Sequence, residues 1–270
     1  MKSWWNRGKG TSLIERDRSN ESLKEQAKAF AVQQDSLFGD ILMPRGAARR
    51  QGSQQERQPQ PASGDDSALT ERLVSITEPW VNAPSLESLN QMICTCQKCP
   101  LGQSRTRFVF GTGNFNADIV VIGEAPGADE DASGEPFVGL AGQLLTKILA
   151  AIKLKRDDVF ICNILKCRPP GNRKPEPFEV EQCEPYLLKQ LDLIRPKFIL
   201  ALGLTAANTL LNKRAKMSEL RGTVHDYHGI RVVVTYHPAA LLRNQQWKRP
   251  AWEDVQRLRR LYDEEQAAAS

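Results

Sequence analysis

The chain has 270 residues, 40% hydrophobic and 26% charged, with a formal net charge of +5, the make-up of an ordinary globular protein. So mild a basic excess permits nucleic-acid binding without requiring it. No apolar run reaches the roughly 18–20 residues of a membrane span, and residues 1–10 hold Trp4 and Trp5 but no apolar core of signal-peptide length. A cytoplasmic protein is expected, in a reducing compartment where six cysteines are better suited to metal binding, burial or catalysis than to disulfides.

Residues 21–38 have some helical character around Leu23, Ala27, Phe30 and Ala31, too sparse in apolar side chains for an independent domain. Residues 51–66 read QGSQQERQPQPASGDD, a polar stretch that cannot bury enough surface to offset its ordering entropy. Residues 1–84 are therefore expected to be a flexible extension with a short helix and a polar linker, and residues 85–264 the folded domain. That domain contains four Val/Ile/Leu-rich runs, at 118–123, 159–165, 197–203 and 231–236, with helical stretches at 142–152, 177–194, 205–211 and 252–262. Near-continuous apolar strands alternating with helices predict a three-layer α/β/α fold around a central four-stranded parallel sheet. Ligands in such sheets bind beyond the carboxyl ends of the strands. The four runs lead into GEAPG, NILKCRPP, GLTAA and HPAALLR.

Cys96 and Cys99 form C-x-x-C before Pro100, the spacing of a chelating hairpin. Cys167 lies in KCRPPGNR, and Cys183 stands sixteen positions later, spaced like a loop and the start of a helix. Four thiolates suit a tetrahedral zinc or an iron–sulfur cluster, and spacing alone does not choose between them. Cys162 falls inside a predicted strand, where a buried thiol is the plainer reading. Cys94 would add only a C-x-C, a poorer chelate than its neighbour.

These motifs occur in a fixed order: C-x-x-C-P-L, GEAPG at 123–127, PFVGLAGQLL at 136–145, the Asn163 strand with KCRPPGNR, and HPAALLR at 237–243. Together they resemble the bacterial and archaeal family-four uracil-DNA glycosylases over about 180 residues. The resemblance implies a [4Fe–4S] cluster on Cys96, Cys99, Cys167 and Cys183, and moves the choice from zinc to iron–sulfur. It implies a monofunctional hydrolase that removes uracil from DNA, leaving an abasic site for base excision repair, with no lyase step.

By the same resemblance, Glu124 positions or activates water in a tight turn beside Gly123 and Ala125. Related archetypal glycosylases carry Asp where Ala125 stands. Phe137 is the platform for the flipped base. Asn163 reads the uracil edge, since an amide both donates and accepts, and a buried strand Asn is costly unless satisfied. His237 is the neutral donor at uracil O2. Leu241 is the wedge that enters the vacated stack, and Arg243, with Lys248 and Arg249 more loosely, meets phosphates. Gly127 stands where relatives use a bulky Tyr to exclude thymine.

Two patterns are decoys. Asp129-x-Asp131-x-Ser133-Gly134 imitates a calcium loop, but its twelfth position is Leu140. His225 and His228 are read as loop residues. Gln34-Asp35-Ser36-Leu37-Phe38 resembles the peptide by which bacterial repair proteins grip the sliding clamp, and a flexible flank suits such docking. A monomer at sites of repair on the nucleoid is expected. The alternative is a weakly catalytic or crosslinking uracil-DNA-binding protein of the same fold. The relative that crosslinks does so through a histidine in a basic loop, and KCRPPGNRKPEP contains none.

Overall fold

The computed structural model describes Leu73 and residues 75–269. The expected helix at 21–38, the clamp-like pentapeptide and the linker at 51–66 lie outside the described residues. In chain order the elements are α1 (Leu86–Ile93), α2 (Leu101–Ser104), β1 (Thr112–Gly113), β2 (Ile119–Gly123), α3 (Ala128–Ser133), α4 (Leu140–Ala151), β3 (Phe160–Asn163) and α5 (Pro177–Ile194). Next come β4 (Phe198–Leu202), α6 (Leu204–Leu210), α7 (Met217–Leu220), β5 (Val224–Tyr227), β6 (Ile230–Thr235), α8 (Pro238–Arg243) and α9 (Lys248–Ala269).

The sheet order is β1-β3-β2-β4-β6-β5. The central four strands are parallel, as expected. Every residue of β2, β3 and β4 is buried, which requires cover on both faces and explains their unbroken apolar composition. Two antiparallel edge strands, β1 and β5, extend the expected four to six. Neither carries a strong signal: β1 has two residues, and β5 reads Val-His-Asp-Tyr with one face exposed. His225 thus belongs to a strand and corrects the loop reading, its ring Nε2 lying 2.7 Å from the Leu220 carbonyl. His228 sits in the β5–β6 turn with Gly229, both at positive φ (52° and 83°), as a two-residue hairpin requires.

The packed body starts before the expected boundary at residue 85. Leu73, Trp80 and Ala83 are buried in the core, and Trp80 meets Tyr186 of α5 edge-on at 4.8 Å between centroids. Single apolar residues scattered after a polar linker leave no periodic pattern to read. At the other end α9 runs beyond the expected 264 to Ala269. The helix start that replaces the calcium-loop decoy is α3, where Asp131 is buried and accepts from the Thr106 backbone N–H at 2.9 Å.

Candidate active site and thiol pocket

The chain leaves β2, pairs β3 on one side of it, then crosses to β4 on the other. The crevice beyond this switch of direction is where an α/β sheet binds ligands. Gly123 sits opposite Asn163 in the parallel ladder. The pairing continues past the strands, with Ile164 N–H donating to Gly123 O at 3.0 Å and Leu165 N–H to Glu124 O at 3.1 Å. Glu124 is thereby held beside the Asn163 segment, half-buried, and Ala125 packs its methyl on the core.

A Cβ on Gly123 would lie 2.3 Å from Asn163 Oδ1 and 2.6 Å from Phe137 Cζ. The bare glycine is what lets amide and ring edge converge. Asn163 is 1% exposed, and its Oδ1 has no hydrogen-bond partner within the protein. An orphaned buried acceptor costs about 1–3 kcal/mol and marks a group kept for a partner that is not protein.

Phe137 is buried with φ at +55°, a left-handed backbone that costs an aromatic residue about 1–3 kcal/mol. Its loop is held from both sides. Arg156 donates to the Phe137 carbonyl at 3.2 Å and to Pro136 O at 2.9 Å. The Glu130 carboxylate accepts from Val138 N–H, Gly139 N–H and Gly127 N–H, each at 3.0 Å. Behind it, a Cβ on Gly142 would fall 1.7 Å from the Phe137 carbonyl. The ring faces His237 with centroids 5.5 Å apart and planes tilted 32°.

His237 caps α8: its Nδ1 accepts from Ala239 N–H at 3.2 Å. That bond assigns the ring proton to Nε2, leaving Nε2–H as a donor. Burial first, then the Arg243 charge, pulls its pKa down to about 4, so the imidazole is neutral at pH 7.

Of the expected DNA contacts, Arg243 is exposed at the end of α8. Leu241 is not: it is 1% exposed. It lies one turn from buried Pro238 on the inward face of α8, where i, i+3 neighbours align, while Leu242 is half-buried. The side chain expected as a wedge is thus turned inward on α8. Lys248 is also buried, its ammonium drawn down to about 8 by burial, whereas Arg249 is exposed.

Cys96, Cys99, Cys167 and Cys183 line one pocket, closed by Phe108 and Tyr186. Donors reach three of the sulfurs: Tyr186 Oη to Cys96 at 3.2 Å, Arg105 Nη1 to Cys167 at 3.3 Å, and Lys166 N–H to Cys183 at 3.3 Å. Arg105 also ties down the Cys96 and Cys94 carbonyls at 2.6 and 3.0 Å. Burial pushes the Cys167 thiol up to about 11 and Cys183 up to about 12, so their thiolates require a cationic partner. No three His, Cys, Asp or Glu among the described residues form a ready-made single-ion site. Cys162 is buried in β3 and Cys94 is exposed, both away from this pocket lining.

Sequence reasoning missed Glu130, Arg156, Lys166, Arg105 and Tyr186. Two had a signal. Glu130 stands three residues after the helix-capping Gly127, in the capping-box position. Tyr186 stands three residues after Cys183 on one helix face. Arg105 reaches Cys167 across 62 residues, Arg156 reaches Phe137 across 19 and Lys166 reaches Gln190 across 24, separations that a single chain does not display.

A family model described as the Uracil DNA glycosylase superfamily matches residues 110–256. A type-4 uracil-DNA glycosylase of Archaeoglobus fulgidus is 44% identical over 190 residues, 67% of this chain and 96% of the relative. One from Thermotoga maritima is 42% identical over 176 residues, 64% and 92% of the two chains. One from Pyrobaculum aerophilum is 45% identical over 166 residues, 58% and 85%. On this family match and these relatives, the chain belongs to the type-4 branch of the uracil-DNA glycosylase superfamily.

Proposed function

We propose that this protein hydrolyses the N-glycosidic bond of flipped-out deoxyuridine in DNA, releasing uracil and leaving an abasic site. The observation that carries this is the convergence of an orphaned amide oxygen, a strained aromatic and a neutral imidazole around Gly123 and Phe137. Flipping a base costs a few kcal/mol, recovered by stacking and edge contacts. Phe137 supplies the stacking face and the Asn163 amide the edge, accepting from N3–H and donating to O4. As the bond breaks, negative charge grows on the uracil, and His237 Nε2–H donates to O2. A neutral donor already fixed in place requires no reorganisation at that moment. Glu124 orients the attacking water and its charge favours the oxocarbenium-like sugar. Gly123 and Ala125 form the turn beneath them, and Arg243 meets a phosphate.

The four thiols fit an iron–sulfur cluster. They surround a shared pocket, and three of them receive hydrogen bonds of the kind that surround cluster sulfurs. Cys96, Cys99, Cys167 and Cys183 would hold a [4Fe–4S] cluster, which supplies a structural tie between the 96–99 turn, the loop after β3 and α5. Zinc is the alternative, and iron and sulfide analysis of anaerobically purified protein decides it. In the extension, Gln34 to Phe38 is proposed to dock on the sliding clamp; a pull-down unaffected by Leu37→Ala/Phe38→Ala removes that idea.

The decisive assay is incubation with a labelled uracil-containing oligonucleotide followed by alkali. Strand breaks are expected after alkali and not before it. No break with the wild-type protein sinks the reading, and full activity in Asn163→Ala sinks the site assignment.

A further inference from the structure

Lys166, one residue before Cys167, is fully buried. Its ammonium donates to the Asn163 backbone carbonyl at 2.8 Å and to Gln190 Oε1 at 2.6 Å. Gln190 Nε2 in turn donates to Phe110 O at 3.0 Å. The backbone N–H of Lys166 points at Cys183 Sγ, 3.3 Å away, and its carbonyl accepts from Val109 N–H at 2.8 Å. One residue thus touches both the strand end that presents Asn163 and the thiol pocket.

Both acceptors of the ammonium are neutral. The ion pairs among the described residues, such as Arg173–Glu179 and Arg221–Asp254, include none with Lys166. A buried cation with no counter-charge is expensive. Thiolates carrying an iron–sulfur cluster make an anionic centre; Cys183 lies within electrostatic reach of the Lys166 charge, and Cys167 is its chain neighbour.

We propose that Lys166 is a positioning residue that couples the thiol pocket to the uracil pocket: its charge balances the cluster-bearing thiolates while its hydrogen bond fixes the Asn163 peptide. The inference rests on reading the four cysteines as cluster ligands and Asn163 as the uracil-edge residue. Loading of the cluster then holds the ammonium in place, and the ammonium holds Asn163.

The test uses full-length, anaerobically purified protein and Lys166→Met. Iron and sulfide content, the cluster midpoint potential, and KM and kcat on a uracil-containing single strand are measured. The potential is expected to fall, because an anionic centre that loses a neighbouring cation is harder to reduce. KM is expected to rise about tenfold with kcat changed less, the pattern of lost uniform binding. An iron-loaded Lys166→Met protein with wild-type potential or wild-type KM overturns the coupling, as does stoichiometric zinc in the wild-type protein. If Lys166→Met fails to accumulate, Gln190→Leu decides: it keeps the charge and removes one acceptor, so KM is expected to rise with the potential unchanged, and an unchanged KM refutes the proposal. Wild-type protein that releases no uracil refutes the glycosylase reading instead, leaving the potential to judge Lys166.

Discussion

Adding one methyl group at Gly123 separates the cost of function from the cost of folding. A Cβ there would meet Asn163 Oδ1 at 2.3 Å and Phe137 Cζ at 2.6 Å, both well inside contact distance. Each clashing atom belongs to a side chain and not to backbone, so the Asn163 amide and the Phe137 ring are what must shift. Overpacking a core costs about 1–3 kcal/mol, and Gly123→Ala belongs at the lower end. For a domain of this size that lowers Tm by roughly 2–5 °C. The atoms that must give way, however, are the ones read as holding the base. A displacement of about 1 Å at a reacting site costs on the order of a hundredfold in rate. Gly123→Ala is therefore expected to fold, melt a few degrees early, and lose about a hundredfold in kcat/KM for uracil release, measured by alkali cleavage of a labelled oligonucleotide. A folded Gly123→Ala protein within threefold of wild type would show that amide and ring do not form the base pocket.

The same geometry sets three further outcomes. Leu241→Ala removes a buried side chain and should cost about 2–5 kcal/mol of stability, with activity per folded molecule nearly unchanged; wild-type melting with loss of activity confined to duplex substrate would restore the wedge. His237 has its folded pKa lowered from 6.5 to about 4, so the unfolded chain takes up the proton first. Its contribution to stability is therefore neutral above about pH 6.5, turns unfavourable as pH falls below that value, and levels off near pH 4. Denaturant titrations of the wild type and His237→Gln should diverge in slope over that window, and parallel curves would refute the burial argument. Arg156→Met leaves the Pro136 and Phe137 carbonyls without their donor, at about 1–3 kcal/mol; a variant whose kcat/KM and melting both match wild type would show that the Phe137 loop holds itself.

The central sheet is legible in the sequence because strands buried on both faces must be apolar throughout, and 118–123, 159–165, 197–203 and 231–236 are. The edges are not. β1 is too short and β5 too polar to register, since an edge strand owes its place to backbone pairing with its neighbour more than to composition. Asn163 and His237 stand out because a polar residue inside or ending an apolar run is conspicuous. The burial of Leu241 has no such signal: exposure of a leucine on a two-turn helix depends on how that helix is rolled, and α8 rolls it inward. The start of the packed body, at Leu73 and Trp80, is hidden because Trp80 finds its ring partner on a distant element, at Tyr186. Nothing near them in the chain announces it.

The site is assembled from unfavourable choices that only a completed fold can hold. Phe137 sits at φ +55°, Asn163 keeps a buried oxygen unsatisfied, and Lys166 buries an ammonium. None of these would persist in an isolated loop. Each is anchored by groups remote in sequence: Arg156 and Glu130 on the Phe137 loop, the β2–β3 ladder under Asn163, Gln190 on Lys166. The strained conformations are thus paired with over-determined supports, which is how a pocket can remain shaped for a base that spends most of its time elsewhere. It also explains why the residues that sequence reasoning missed are mostly supports. Their identity depends on which distant backbone carbonyl, amide or thiol needs a partner, and that need arises only after the sheet, the loops and α5 have come together.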